Sequence, residues 1–215
     1  FRPNCVRRLA TVLDGDTDMF AADAKQWDWE GRRLLHGGPA LVPSRRLPTG
    51  LPGLKYETVF RPDEALEVPW GSAGNLMVRR GMFEALGGFD ETFFLDVEDM
   101  DLCWRAWLRG WKTVYVPTAE VFHRHAATAA MEFNGTNPTR TRVRQASGIR
   151  NYYRFVAKTM EARDLPWILA MGVGVSLGIM AKGKVGDGAL ALRILLGTVL
   201  RWGEVAPVRR RIFAE

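Results

Sequence analysis

Apolar residues recur at helical spacing in two stretches near the middle of the chain. The first runs from Arg79 to Leu86 and stops at the Gly87-Gly88 pair, because glycine accepts the left-handed backbone that ends many helices. The second runs from Glu98 to about Arg109 and repeats its apolar residues every three or four positions, as amphipathic helices do. Its predicted buried face consists of Leu102, Cys103, Ala106 and Trp107. Between the two helices, Phe89 and the segment from Phe93 to Leu95 are expected to return to the core.

Extended segments flank these helices. Thr113 to Val116 alternates like a strand, Pro117 interrupts it, and Ala119 to His123 resumes it, since proline cannot donate to a strand ladder. Near the start of the chain, Asn4 to Leu13 has helical spacing and Met19 to Ala22 follows at once as a strand. Helical and extended segments therefore alternate in this part of the chain.

Three carboxylates lie within four residues at the start of the second predicted helix. Glu98, Asp99 and Asp101 repel one another, and the partial positive charge at a helix N-terminus relieves that repulsion. Two interpretations stay open from the residues alone. The acids either form a solvated helix start, with Asp101 paired to Arg105 one turn on, or they face a cleft as reactive groups. His123 has the same two alternatives, a hydrogen-bonded residue at a strand end or a functional group.

A larger pattern surrounds the acids and extends over about 55 residues without a gap. In order, it consists of Gly71 to Gly74, Arg79 and Arg80, Gly87 to Glu91, Glu98 to Arg105, Gly110 with Trp111, and Pro117 to His123. This pattern resembles the C-terminal half of the catalytic domain in inverting glycosyltransferases of family 2, a group that includes bacterial rhamnosyltransferase-like enzymes. A weaker similarity continues into Arg150 to Phe155. The resemblance implies an α/β fold, a partial GT-A or nucleotide-diphospho-sugar transferase fold followed by a C-terminal helical tail.

The resemblance further implies that an acceptor hydroxyl attacks the anomeric carbon of a nucleotide-activated sugar, with inversion. One carboxylate must take the hydroxyl proton. By position in the pattern, Asp99 is expected to be that base, with Glu98 as the second catalytic residue. The residues expected to bind donor sugar and acceptor are Trp70, Gly71, Gly74, Asn75, Asp101 and Arg105.

A divalent cation is expected to balance the charge of the leaving diphosphate. His123 matches the family histidine that completes the metal site, whose main ligands come from a carboxylate-rich Asp-x-Asp motif. Oxygen ligands suit Mg²⁺ or Mn²⁺, and one imidazole favours Mn²⁺. Asp14-Gly15-Asp16 looks like this motif. However, a helical repeat precedes it and a strand follows at once, so a polar turn is the preferred interpretation.

These expectations divide the chain into two parts. Residues 1–139 are predicted to be the acceptor-side half of the catalytic domain, without the donor-binding N-terminal half, so that this fragment should be inactive alone. Residues 140–215 are predicted to be a basic, apolar helical tail with 14 Lys and Arg against 5 Asp and Glu, in a chain of net charge +6. That excess favours an anionic partner. The tail lacks a recognised nucleic-acid motif and contains long apolar runs, so a membrane surface is preferred to nucleic acid.

The tail contains an uncharged run of 17 residues, Leu165 to Ala181, at the lower limit for spanning a bilayer. An interfacial or hairpin-like helical pair is preferred here, and a membrane span and a soluble helical cap stay open. Family members that build long polymers usually carry Gln-x-x-Arg-Trp before their membrane helices. Here Thr198 stands at the glutamine position before Arg201-Trp202, which predicts transfer of a single sugar.

The chain is therefore expected to serve bacterial cell-envelope polysaccharide synthesis as a hexosyltransferase. Its expected partners are a nucleotide-sugar donor, a saccharide or lipid-linked acceptor and the membrane surface. It is expected in the cytoplasm, because Cys5 and Cys103 are too few for a disulfide framework. The basic, apolar tail places it there as a peripheral protein at the inner face of the cell membrane. Two other classes stay open: a non-catalytic membrane-docking module or pseudoenzyme, and a basic nucleic-acid-binding domain.

Overall fold

The computed structural model of the protein describes residues 1–43, 56–124 and 138–214. The chain divides into two compact units. The first consists of Phe1–Val42, Thr58–Glu91 and Glu98–Thr136. The second consists of Pro43–Glu57, Thr92–Val97 and Asn137–Glu215. Helices and a mixed sheet together make this an α/β protein.

In the described residues, the first unit contains the main sheet and three α-helices. In chain order its elements are α1 (Cys5–Gly15), β1 (Met19–Asp28), β2 (Leu34–His36), β3 (Pro39–Pro43), β4 (Tyr56–Phe60), β5 (Leu66–Glu67), a 3₁₀ turn (Ala73–Asn75), β6 (Leu76–Val78), α2 (Arg80–Ala85), α3 (Glu98–Leu108) and β7 (Lys112–His123). β3 and β4 pair in a separate two-stranded sheet. The last residue of β3 and the first two residues of β4 are assigned to the second unit.

The main sheet has five strands, with β2, β1, β7 and β5 in spatial order and β6 paired to β1 as well. β1 and β7 are parallel and aligned so that Asp23 pairs with Tyr115 and Asp28 with His123. The other three pairings, of β1 with β2 and β6 and of β7 with β5, are antiparallel. The central strand β1 is therefore bordered by the next strand along the chain, β2, and by two strands that are distant in sequence, β6 and β7.

Pro117 lies at a bulge rather than at a strand end. Along β1 and β7 the register passes from Ala24 opposite Val116 to Lys25 opposite Glu120. Three residues of β7, starting with Pro117, thus lie between consecutive pairs. Because proline has no N–H to donate, the ladder is interrupted there, yet β7 continues as one strand to His123.

Two hydrophobic clusters place a helix against each face of β1. Ala22 and Ala24 pack with α1 residues that include Leu9 and Leu13. Phe20 and Ala21 pack instead with α3 residues that include Leu102 and Ala106. Ala21 and Ala22 are adjacent on the strand and point to opposite faces, so they anchor these two layers separately. The β1–β7 register shifts between Met19 and Ala21, and the alternation does not hold at Phe20.

The helix α3 differs from its predicted buried face at one position. Trp107 is 54% exposed, whereas its neighbour Trp104 is buried and meets it edge-on at 5.1 Å between ring centroids. The prediction that Trp107 belongs to the core is therefore wrong. α3 buries the continuous run Asp101–Ala106, which shows that it is covered on more than one side.

The Asp14-Gly15-Asp16 segment forms the end of α1 and the turn after it. Asp14 and Gly15 are the last two residues of the helix, and Asp16 caps it. The Asp16 carboxylate accepts a hydrogen bond from the backbone N–H of Asp18 at 2.9 Å. This geometry agrees with the polar turn that the sequence indicated.

The second unit is helical. It contains α4 (Pro138–Thr159), α5 (Leu165–Ala181), α6 (Val185–Leu200) and α7 (Trp202–Ala214). Gly183, at φ 81°, lies between α5 and α6, which pack against each other. A Cβ on Gly188 of α6 would lie 2.5 Å from the carbonyl oxygen of Ser176 on α5, so only a glycine permits this close crossing. No helix among those described is both long enough and apolar enough to cross a membrane.

The segment 92–97 belongs to this helical unit. The side-chain amide of Asn151 donates to the carbonyl oxygens of Leu95 and Asp96 at 2.7 and 2.9 Å. Phe93 is buried as predicted, but Phe94 is 62% exposed. In the first unit, Phe89 is 42% exposed. The expectation that these phenylalanines return to the core is thus wrong for Phe89 and Phe94.

Candidate functional site

Asp99 lies in the first turn of α3 and is half-buried. Its Oδ2 accepts a hydrogen bond from the backbone N–H of Ala73 at 3.3 Å, and its Oδ1 accepts one from Met100 N–H at 2.7 Å. Burial raises the pKa of the Asp99 carboxyl, although these two hydrogen bonds act in the opposite direction. The carboxylate is thus held at a loop and a helix start by backbone donors, with its basicity increased.

The loop from Trp70 to Asn75 is fixed to β1 by a network around Asp23. Asp23 Oδ1 accepts hydrogen bonds from Ser72 N–H at 3.1 Å and from the side-chain amide of Asn75 at 2.8 Å. The Asn75 oxygen in turn accepts one from the Gln26 amide at 2.7 Å. Asn75 was predicted to bind substrate. It is buried in this structure and holds the loop in place.

Asp23 also contacts a histidine, and the pair was not foreseen from the sequence. Asp23 Oδ2 lies 2.7 Å from His36 Nε2, and the Asp23 side chain is fully buried. Burial is the largest cause of the raised pKa of Asp23, and the nearby charge of Asp99 raises it further. The charge on His36 lowers the pKa of Asp99. Asp23, His36 and Asp99 therefore form one electrostatic cluster.

A sequence signal for Asp23 did exist. It is a charged residue inside the run Met19–Ala24, whose other members are apolar. Such residues are almost never fully buried unless they are paired. His36 and Gln26 carry no comparable signal, because their importance arises from strand pairing with distant parts of the chain.

The two loop glycines that were predicted to bind substrate differ in their surroundings. A Cβ on Gly71 would lie 2.9 Å from the Asp23 Cγ and 2.5 Å from a methyl group of Leu76, so no other residue fits without displacement. A Cβ on Gly74 would meet the His123 Cε1 at 3.8 Å, an ordinary contact. Gly74 is exposed, and a side chain at this position would lie beside the His123 ring.

Asp101 and Arg105 are buried and contact each other. Arg105 Nε donates to Asp101 Oδ2 at 2.9 Å, and its two terminal nitrogens donate to the carbonyl oxygens of Leu86 and Gly88, each at 2.8 Å. Arg105 thus joins α3 to the end of α2. The substrate-binding role expected for this pair stays a prediction, and its contacts give it a structural one.

Trp70 and Glu98 lie at the edge of the cluster. Trp70 is half-buried and packs against the hydrophobic cluster that contains Phe20 and Leu102. Glu98 is the first residue of α3 and is also half-buried. Both are therefore close in the fold to the loop and helix start that carry Asp99, as the sequence pattern predicts.

The described residues do not provide the metal-ligand set that the resemblance implies. In residues 1–43, 56–124 and 138–214, no group of three or more His, Cys, Asp or Glu side chains is arranged to hold a metal ion. His123 lies at the end of β7 beside Gly74 and offers one imidazole. The divalent cation stays an expectation that these contacts do not themselves supply.

The chain matches no family model, but it is similar to curated proteins over part of its length. A stretch of 76 residues is 51% identical to an N-acetylglucosaminyl-diphospho-decaprenol L-rhamnosyltransferase of Mycobacterium tuberculosis, which covers 33% of this chain and 24% of the relative. A stretch of 56 residues is 38% identical to the rhamnosyltransferase WbbL of Escherichia coli, over 26% of this chain and 21% of the relative.

The chain thus spans less than a quarter of the length of these two relatives. Both are named rhamnosyltransferases, so the matched stretch is related to glycosyltransferases.

Proposed function

We propose that the chain carries the catalytic base of an inverting glycosyltransferase of family 2 with a GT-A type fold. The observation that carries this proposal is the placement of Asp99. Its carboxylate is bound by the loop N–H of Ala73, has a raised pKa, and lies in the same electrostatic cluster as Asp23 and His36. The partial similarity to two rhamnosyltransferases supports the same conclusion.

In the proposed reaction, Asp99 takes the proton from the acceptor hydroxyl while the hydroxyl oxygen attacks the anomeric carbon. The bond from that carbon to the nucleotide diphosphate breaks on the opposite face, which inverts the configuration. A carboxylate whose pKa is raised toward the working pH is a better proton acceptor than an ordinary one. The Ala73 N–H keeps the carboxylate oriented.

Asp23 and His36 are proposed to act as positioning residues. Asp23 holds both ends of the Ser72–Asn75 turn through Ser72 N–H and the Asn75 amide. That turn carries the Ala73 N–H that binds Asp99. A displacement of Asp23 would therefore move the donor that orients the base, and small misplacements cost much rate.

Mn²⁺ or Mg²⁺ belongs to the proposal as the group that would neutralise the leaving diphosphate. The described residues offer His123 as a single ligand, so no step above depends on the cation. Glu98 is proposed to assist Asp99, and Trp70, Gly74 and the surface around them to contact the sugars.

The acceptor is proposed to be a saccharide linked to a membrane lipid through a diphosphate, and the sugar a single hexosyl unit such as L-rhamnosyl. The name of the mycobacterial relative states a diphospho-decaprenol acceptor and an L-rhamnosyl group for that protein. The proposed biological role is then cell-envelope polysaccharide synthesis at the cytoplasmic face of the membrane. Nucleic acid is not among the proposed partners.

The decisive experiment compares the wild type with Asp99→Asn in the natural full-length protein, with nucleotide-activated rhamnose and a lipid-linked N-acetylglucosamine acceptor. Loss of a general base predicts a fall in kcat of about 10² to 10⁴ with donor binding kept. Asp14→Asn is the matched control, since Asp14 is exposed at the end of α1 and should leave turnover unchanged. Unchanged turnover in Asp99→Asn would mean that the acidic cluster only stabilises the start of α3, as expected for a pseudoenzyme or docking module.

A further inference from the structure

The helical unit contains a groove of about 1100 Å³. Its walls come from α4, from α6 and the start of α7, and from residues Thr92 and Phe94. The volume is at the upper end of what small-molecule sites reach. All of its lining residues belong to the same compact unit.

The α4 wall is one face of the helix. Val143, Ser147, Arg150 and Arg154 line the groove at spacings of four, three and four residues, which place them on one side of an α-helix. Val143 and Arg150 are exposed. The face therefore carries an apolar end and a basic end.

The α6 wall, like the α4 wall, combines apolar and basic side chains. Arg193, Leu196 and Leu200 line the groove at helical spacing, and Leu200 is 86% exposed. Arg201, which caps the C-terminus of α6, adds a second arginine. Leucine side chains that remain this exposed on a packed helical unit usually mark an interaction site when they form a contiguous patch. Phe94 extends the apolar lining from the opposite side.

The charge of the groove is strongly positive. Among the described lining residues, four are arginines, at positions 150, 154, 193 and 201, and one is an acid, Glu204. Arg193 and Arg201 are exposed. Guanidinium groups bind phosphate oxygens through two parallel hydrogen bonds, so a cluster of them suits a ligand with several phosphate oxygens close together.

The combination of apolar and arginine side chains in the groove argues against a purely ionic ligand and against a purely apolar one. A free anion would leave the leucines in water, and a neutral lipid would provide no counter-charge for Arg193 and Arg201. A flat bilayer surface would not fill a concave groove. A ligand with a long apolar chain and a compact, multiply charged head satisfies both parts.

We propose that this groove binds the isoprenoid diphosphate portion of the lipid-linked acceptor, with the prenyl chain against Leu196, Leu200 and Phe94 and the diphosphate among the arginines. The identity of this ligand rests on the proposed function, because the acceptor is named only for the relative. The groove itself is defined by residues of this chain.

The test is calorimetric titration of the 215-residue chain with farnesyl diphosphate, farnesol and inorganic diphosphate in separate experiments. Farnesyl diphosphate should bind at least tenfold more tightly than either part alone. In the double variant Arg193→Gln/Arg201→Gln its affinity should fall by about tenfold or more, as expected for loss of charge-assisted hydrogen bonds. Arg210→Gln/Arg211→Gln, which removes equal charge from exposed positions of α7 outside the groove, should bind as the wild type does.

A second pair of variants tests the apolar wall. Leu196→Glu introduces an acid into the groove and should abolish farnesyl diphosphate binding. Leu177→Glu places the same acid on an exposed position of α5 outside the groove and should not. Circular dichroism on each variant confirms that the helices persist, and both substituted leucines are about half exposed, at 49% and 53%.

Three results would overturn the proposal. They are equal affinity for farnesol and farnesyl diphosphate, equal weakening by the groove and control variants, and binding to phosphatidylglycerol vesicles with none to farnesyl diphosphate. The last would assign the arginines to the membrane surface instead. No titration involves sugar transfer, so failure here leaves the role of Asp99 standing, and failure of the Asp99 experiment leaves the groove measurable.

Discussion

The Oδ2 atom of Asp23 lies 2.7 Å from the Nε2 atom of His36, inside a sheet that otherwise buries alanine and phenylalanine around it. A carboxylate that is removed from water costs free energy unless its oxygens are all hydrogen-bonded. Asp23 meets this condition with His36 on one oxygen and Ser72 and Asn75 on the other. The core at this point is therefore built around a fully hydrogen-bonded carboxyl group.

Replacing His36 by leucine should destabilise the fold by about 1 to 3 kcal/mol, because the buried Asp23 carboxylate loses a hydrogen-bond partner. The pKa of Asp23 is already raised, so the folded state favours its protonated form. The stability linked to a raised carboxyl pKa is full at low pH and is lost as the pH rises through it. The loss in His36→Leu should therefore be larger at about pH 8 than at about pH 4.

Urea denaturation at these two pH values measures the effect. The double variant His36→Leu/Asp23→Asn provides the control, since it removes the buried charge as well and should recover part of the stability at the higher pH. Equal losses at both pH values would show that the contact with Asp23 is not the cause.

The two glycines of the loop provide a matched pair. Gly71→Ala should cost about 1 to 3 kcal/mol, because its Cβ would press on Asp23 and Leu76 and overpacked sites must shift to accept it. Gly74→Ala, whose Cβ finds ordinary contact distances, should change stability by less than about 0.5 kcal/mol. Thermal unfolding of the two variants side by side distinguishes the positions. Similar melting temperatures would mean that the loop moves freely away from β1.

Local sequence patterns predicted the elements of the first unit well. Helical spacing indicated α1, α2 and α3 to within one or two residues, and the strand after α1 begins at Met19 as expected. These features depend on neighbours within one or two turns, which the sequence displays directly. The carboxylates at the start of α3 were predicted from the residues as well. The assignment of Trp70, Gly71, Gly74 and Asn75 to the site came from the resemblance, and their substrate-binding roles stay predictions.

The sequence could not predict features that arise when several elements pack around the same residue. Trp107 was assigned to the core because helical spacing assumes one buried face, whereas α3 is covered on more than one side and buries Trp104 instead. The network of Asp23 with His36, Ser72 and Asn75 joins positions up to 52 residues apart. Its existence depends on the pairing of β1 with β2 and β6, which no local pattern specifies.

Arg105 connects α3 to α2, and its removal should be costly. Arg105→Gln leaves the fully buried Asp101 carboxylate without its ion-pair partner and the carbonyl oxygens of Leu86 and Gly88 without donors. Breaking a buried pair in this way typically costs about 3 to 5 kcal/mol. Arg105→Lys should restore little, because an ammonium group cannot reproduce three separate guanidinium contacts.

Arg80→Gln is the control for this charge change, since Arg80 is exposed on α2. Chemical denaturation of the three variants measures the difference. A stable Arg105→Gln protein with lost acceptor binding would instead support the substrate-binding role that was expected for this residue.

The raised pKa of Asp99 leads to a pH dependence of transfer. A general base must be deprotonated, so kcat/KM should fall as the pH is lowered through the pKa of Asp99. Because burial raises that pKa, the fall should begin above the value of about 3.9 that is ordinary for aspartate. His36→Leu should move it to still higher pH, since the charge on His36 lowers the pKa of Asp99.

Profiles of kcat/KM between about pH 4 and pH 8 for the natural full-length protein and its His36→Leu variant measure both effects. A purely structural role for His36 would lower the whole profile without shifting it. A shift of the acid limb therefore identifies His36 as a residue that tunes the base, and an acid limb at the ordinary aspartate value would remove Asp99 from consideration as a buried base.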